Sequence, residues 1–133
     1  MNEADIPSAP DIQAMARGQR QRTAAAWCAR AFGDESLADR RKRALRLLEE
    51  AIELYQAEQG SQDQAGALVA HVFGKPAGEP AQEVGGVSLT LLSYCHAAGL
   101  DADGCEAAEL ARVLAGPLKD FQARYARKTQ AGF

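Results

Sequence analysis

Between Asp39 and Gln59, Leu45, Leu48, Ile52 and Tyr55 recur at spacings of three, four and three. This is the repeat of one helical face, so the run reads as an amphipathic helix closed by Gly60. Composition extends that reading to the whole chain. Alanine supplies 28 of the 133 residues, and valine and isoleucine together only 8. Alanine is the strongest intrinsic helix former, whereas sheets favour β-branched surfaces, so a β-sandwich or a parallel-sheet domain is disfavoured.

Further helices follow from periodicity and punctuation. One is expected from about Pro10 to Phe32, with Ile12, Met15, Trp27 and Ala31 as candidate buried positions and Gly33 as its stop. Asp34-Glu35-Ser36 reads as a loop. A shorter helix is expected over Gln62 to Phe73, then a turn over Gly74 to Gly78. Pro80 suits the first turn of a helix running from Glu79 or Pro80 to Ala98 and ending at Gly99, striped by Val84, Val87, Leu91 and Tyr94. Gly85-Gly86 inside it is costly for a helix and reads first as a close helix–helix contact. The last helix begins near Ala102, where Asp103 and Glu106 have capping-box spacing, and Gly116-Pro117 should kink or interrupt it. The expectation is an all-α bundle of four to five helices with no sheet, a flexible N-terminus over residues 1–10 and one domain over residues 11–133.

The formal net charge is −3, so no global positive field draws in a nucleic acid polymer. Segments differ sharply: residues 17–46 carry a net of +6, residues 47–110 a net of −10, and residues 111–133 a net of +4. Facing helices with opposite solvated surfaces would produce this pattern, and so would a polyphosphate site bridged by a divalent metal. Cys28, Cys95 and Cys105 cannot all pair and make no zinc pattern; they read as reduced thiols in a cytoplasmic protein. No apolar run approaches a membrane span and no signal peptide opens the chain, so membrane and secreted readings are set aside.

Carboxylates form two clusters. Glu49, Glu50 and Glu53 lie three and four apart on one helix, and Glu79 and Glu83 lie four apart at the start of another. Like charges so close repel, and a hard divalent cation with carboxylate ligands reverses the sign. The alternative is a solvated acidic face paired with arginines of the 40–46 run. A diiron carboxylate bundle is excluded, because neither His71 nor His96 follows a glutamate by three. No glycine-rich phosphate loop ending in Lys-Ser or Lys-Thr is present.

The run Leu48-Glu49-Glu50-Ala51-Ile52-Glu53-Leu54 resembles the first signature of the MazG-like all-α nucleoside triphosphate pyrophosphohydrolases, a double glutamate followed by a third. Glu83-Val84-Gly85-Gly86 resembles the second, Glu-x-x-Asp, and Gly99-Leu100-Asp101 before a charged helix resembles the family's ending. The likeness spans about residues 27–128. It implies the all-α NTP pyrophosphatase bundle and Mg²⁺-dependent hydrolysis between the α and β phosphates, with Mn²⁺ as a substitute metal. Glu50, Glu53 and Glu83 would be metal ligands, with Glu49 as a further ligand or supporting carboxylate. Glu50 or Glu53 would also deprotonate the attacking water. Gly86 departs from the pattern at the fourth acidic position, where Glu79 or water would have to substitute. Candidate substrate-binding residues are Trp27 for a nucleobase and Arg43, Arg46, Arg112, Arg124, Arg127 and Lys128 for phosphate. The resemblance also implies a homodimer or homotetramer. Two alternatives stand beside it: a catalytically inactive helical interaction module retaining the scaffold, and an enzyme resembling phosphoribosyl-ATP pyrophosphohydrolase.

Overall fold

The computed structural model describes residues 2–133, and within them every regular element is helical. A single 3₁₀ turn over Glu3–Asp5 precedes eight α-helices. They are α1 (Ala9–Ala14), α2 (Arg17–Phe32), α3 (Asp34–Ala38), α4 (Arg40–Ala57), α5 (Gln62–Phe73), α6 (Pro80–Ala98), α7 (Ala102–Ala115) and α8 (Leu118–Gln130). Among the described residues no helix is long and apolar enough to cross a membrane. The chain divides into two units, one built from residues up to Asp39 together with Leu91–Phe133, the other from Arg40–Thr90.

The first unit contains every buried residue of the described chain. Its centre is Ile12, fully buried with Ala107 and Leu110, and Met15, Ala111, Val113 and Leu114 pack around them. This contact decides how the N-terminal segment folds. One helix was expected from Pro10 to Phe32, but Met15 and Ala16 adopt extended backbone and split it. The break lets α1 lie against α7 while α2 packs on α3 and α8. Ser8 and Asp11 form a capping box at the start of α1, the Asp11 carboxylate accepting from Ser8 N at 3.0 Å. The Ser8 hydroxyl and amide bonds hold the Asp11 carboxyl below its ordinary pKa.

Gly33 ends α2 with φ of 90° and ψ of 158°, a backbone state that essentially only glycine occupies. The expected loop that follows is instead α3, whose Asp34 and Glu35 sit in the first turn, where acidic groups complement the helix dipole. The Tyr125 hydroxyl donates to Ser36 Oγ at 3.1 Å, tying α8 to α3.

Arg20 joins α2 to α7. Its side chain is 7% exposed, and Nη2 donates to Asp103 Oδ1 at 3.1 Å. Its Nε lies 3.2 Å from Glu106 Oε1, close enough for an ion pair, without hydrogen-bond alignment; Nη1 has no partner. Asp103 and Glu106 are therefore used across the interface and not as a capping box. Asp101 takes the capping role, accepting from Gly104 N at 3.0 Å, and it also accepts from Gln13 Nε2 of α1 at 3.2 Å.

In the second unit, α5 begins and ends where periodicity places it, and α6 starts at Pro80. The α4 terminus differs in detail from expectation. Gln59, not Gly60, takes the left-handed conformation (φ 61°), and Gly60 N donates back to Tyr55 O at 2.9 Å. A Cβ on Gly60 would meet the Tyr55 ring, which would have to move to admit it. The Tyr55 hydroxyl bonds Gln64 of α5. Beyond this local turn, α4, α5 and the Pro80–Thr90 part of α6 bury no residue. The stripe of Leu45, Leu48 and Ile52, the apolar face of the amphipathic helix, is exposed in this chain. Nothing lies within 4 Å of a Cβ at Gly85 or Gly86, so the close helix contact expected there is not made within the chain.

Candidate functional site

The acidic candidates are positioned by α4. At 100° per residue, Glu49, Glu50 and Glu53 fall with Lys42, Arg43 and Arg46 in one half of the helix circumference. Leu45, Leu48, Ile52 and Tyr55 occupy an arc of roughly 80° in the other half. The glutamates therefore share a polar face with cations instead of crowding alone. Arg46 Nη1 donates to Glu49 Oε2 at 2.6 Å, the shortest bond on this face among those described. Both partners are well shielded, with side chains 19% and 29% exposed, and Arg46 Nε is buried with no hydrogen-bond acceptor. Glu50 and Glu53 are exposed on the adjoining turns.

Glu79 lies just outside α6, its carbonyl accepting from Glu83 N at 3.0 Å as the first bond of that helix. Glu83 is in the first turn, where the helix dipole favours a carboxylate, and its Oε1 folds back over Gly78. Gly86 is an ordinary helical residue one turn on, its carbonyl accepting from Thr90 Oγ1 at 3.0 Å. Oxygen-only donors of this kind suit a hard cation such as Mg²⁺. Among the described residues, however, no three His, Cys, Asp or Glu side chains converge into a group able to hold a metal ion. The donor chemistry fits the cation, while α4 alone presents the carboxylates as a row along a helix.

Of the basic and aromatic candidates, Arg43 and Arg46 share α4 with the glutamates, while Trp27, Arg112, Arg124, Arg127 and Lys128 fall in the other unit, where three of them meet. Trp27 packs edge-on to Phe32 (5.5 Å between ring centroids) and to Phe121 (5.2 Å). The guanidinium carbons of Arg112 and Arg124 lie 5.9 and 5.3 Å from the Phe121 centroid, within cation–π reach. Trp27, Arg112 and Arg124 are thus gathered around a single ring. Trp27 is half-buried, and its indole N–H is shielded from solvent without an acceptor. Arg112 also forks onto Glu109, with Nε–Oε2 of 2.9 Å and Nη2–Oε1 of 2.5 Å. This bond holds the Glu109 carboxyl below its ordinary pKa against partial burial, which pushes it up. Arg127, exposed, and Lys128, half-buried, lie in the last turn of α8, where cations complement the helix dipole. His71 and His96 are both exposed, and all three cysteines are free thiols, Cys28 and Cys95 buried and Cys105 exposed.

Two residues central to these arrangements were not identified as site candidates from sequence. Phe121 reads as an apolar stripe position, and only tertiary packing reveals the rings and guanidinium groups around it. Arg20 lies 83 residues from Asp103, a separation at which no local spacing signals a pair. Comparison with family models, with characterised proteins and with solved structures finds no match to this chain.

Proposed function

We propose that the protein hydrolyses a nucleoside or deoxynucleoside triphosphate between its α and β phosphates, giving a monophosphate and pyrophosphate. The observation that carries this reading is the polar face of α4, where Glu49, Glu50 and Glu53 stand beside Arg43 and Arg46. The resemblance of this run, and of the Glu83 turn, to the MazG-like signatures supports it. Glu50, Glu53 and Glu83 would hold Mg²⁺, with Glu49 or Glu79 contributing. Mg²⁺ or Mn²⁺, when bound, supplies charge neutralisation on the phosphate oxygens and acidifies a water. Glu50 or Glu53 accepts the proton of the attacking water, and arginines offer fixed donors to the outgoing pyrophosphate. Arg43 and Arg46, on the same face of α4 as the glutamates, are proposed to take the phosphates, and the chain is proposed to act as a homodimer or homotetramer.

A second reading is a helical binding module without catalysis. Two observations favour it: among the described residues no three acidic groups converge, and Gly86 stands at the fourth acidic position of the pattern. One experiment separates the two. The full chain is incubated with Mg²⁺ and a panel of ribo- and deoxynucleoside triphosphates, and products are resolved, with Glu53→Ala alongside. Monophosphate and pyrophosphate, lost at least 100-fold in the variant (about 2.7 kcal/mol of barrier), are the expected result. No turnover with Mg²⁺ or Mn²⁺, together with no measurable Mg²⁺ affinity, sinks the hydrolase reading.

A further inference from the structure

Two ion pairs of this chain share one spacing and differ in their surroundings. Glu109 and Arg112 on α7 lie three residues apart and are solvated, with side chains 62% and 56% exposed. Arg46 and Glu49 on α4 also lie three apart, yet their side chains are only 19% and 29% exposed. Helix stability does not account for the α4 pair. Both residues lie inside Arg40–Ala57, beyond the terminal turns where the dipole acts, and the basic residue precedes the acidic one, the less favourable order. A pair in this position returns little, and shielding two charges costs more unless further bonds are made.

One such bond is open. Arg46 donates to Glu49 Oε2 through Nη1 at 2.6 Å, while its Nε is shielded from solvent and has no acceptor. In a guanidinium the Nε–H and the neighbouring Nη2–H lie parallel along one edge, a fork that fits two oxygens of a single oxyanion. A shielded donor without a partner is costly, so the edge at Nε marks a place for an acceptor that a bound molecule brings. Glu49 meanwhile is committed. Its Oε2 already faces a positive charge, and a divalent cation on the same carboxylate would be set against the guanidinium. Glu50 and Glu53 stand exposed on the adjoining turns.

We infer that Glu49 is a positioning residue and not a metal ligand: it fixes Arg46 so that the guanidinium edge at Nε receives two oxygens of a phosphate group, that of the outgoing pyrophosphate. The inference rests on the proposed function for the identity of the oxyanion; the separate role of Glu49 rests on the α4 geometry. The metal is then completed by Glu79 or water, and Arg46 and Glu49 act as one unit.

The test measures Mg²⁺ affinity, and pyrophosphate affinity at saturating Mg²⁺, by isothermal titration calorimetry. It uses the full chain and Glu49→Ala, Glu49→Gln, Arg46→Ala and Glu53→Ala variants, each confirmed helical by circular dichroism. Glu49→Ala should keep Mg²⁺ affinity within about twofold of the parent and weaken pyrophosphate about tenfold or more, as expected for losing a charge-assisted bond. Glu49→Gln retains an acceptor for Arg46 and should restore pyrophosphate affinity to within about threefold of the parent. Glu53→Ala should lower Mg²⁺ affinity, and Arg46→Ala/Glu49→Ala should bind pyrophosphate no more weakly than Arg46→Ala alone. A Mg²⁺ affinity lowered about tenfold by Glu49→Ala overturns the inference, because Glu49 is then a ligand. Pyrophosphate affinity unchanged or tightened in that variant also overturns it, because Glu49 then competes for Arg46 instead of holding it. Should Glu49→Ala fail to fold, Glu49→Gln with Arg46→Lys carries the comparison: the first spares both affinities, and the second loses the fork and weakens pyrophosphate alone. A parent chain that binds pyrophosphate yet hydrolyses no triphosphate refutes the hydrolase reading and leaves the inference standing; one without pyrophosphate affinity overturns the inference.

Discussion

Arg20→Ala should destabilise the first unit by about 2 kcal/mol, and the structure shows how that figure arises. One charge-assisted bond to Asp103 is lost, worth roughly 1.5–3 kcal/mol when shielded, and an ion-pair contact to Glu106 of up to about 1 kcal/mol. Two effects offset part of this loss. Asp103 and Glu106 are 56% and 36% exposed, so water takes up much of the freed charge. The guanidinium Nη1 is already shielded without a partner, and its removal recovers part of a desolvation cost. Trp27 is the only tryptophan and belongs to the same unit, so its fluorescence through a urea titration reports this unit's unfolding. Repeating the substitution in an Asp103→Asn/Glu106→Gln background should reduce its effect by about 1 kcal/mol. An equal loss in both backgrounds would mean that the arginine stem, and not its charge, holds α2 to α7.

Gly33→Ala should cost about 1–3 kcal/mol, because the φ of 90° at this junction is strained for any L-residue although no neighbour obstructs a Cβ; a melting temperature equal to the parent's would refute the assignment. Folding lowers the Glu109 pKa, so its contribution is present above the ordinary value of 4.5 and is lost as pH falls below it. Glu109→Gln should therefore cost about 0.3–0.5 kcal/mol near neutral pH, the range for exposed helical pairs, and progressively less as the pH falls below 4.5. Urea midpoints measured from neutral pH downward check this, and a loss that grows on acidification would contradict it.

Element boundaries set by local backbone chemistry were legible in the sequence. The 62–73 and 80–98 helices, the Gly99 stop and the interruption at Gly116-Pro117 all depend on residues within one or two turns. The break at Met15–Ala16 was not legible, since neither residue is a helix breaker; it exists because Ile12 is buried against Ala107 and Leu110, nearly a hundred residues away. Asp103 and Glu106 show the same limit: their spacing fits a cap, but Arg20 claims them. The grouping of Glu49, Glu50 and Glu53 could be read directly from helical periodicity. How Trp27, Arg112 and Arg124 converge could not, because Phe121 sets that geometry from a separate helix.

The Arg20–Asp103 and Ser36–Tyr125 contacts bear on the order of events during synthesis. The first unit is interrupted in the chain by the whole of the second, so residues up to Asp39 leave the ribosome well before α7 and α8 exist. At about 5–20 residues per second, Arg20 waits on the order of 4–17 seconds for its carboxylates. During that interval the nascent chain carries Ile12 without a cover, followed by the apolar faces of α4 and α5. The protein's vulnerable period is therefore written into its topology, and a chain halted before residue 102 can close neither end of its core.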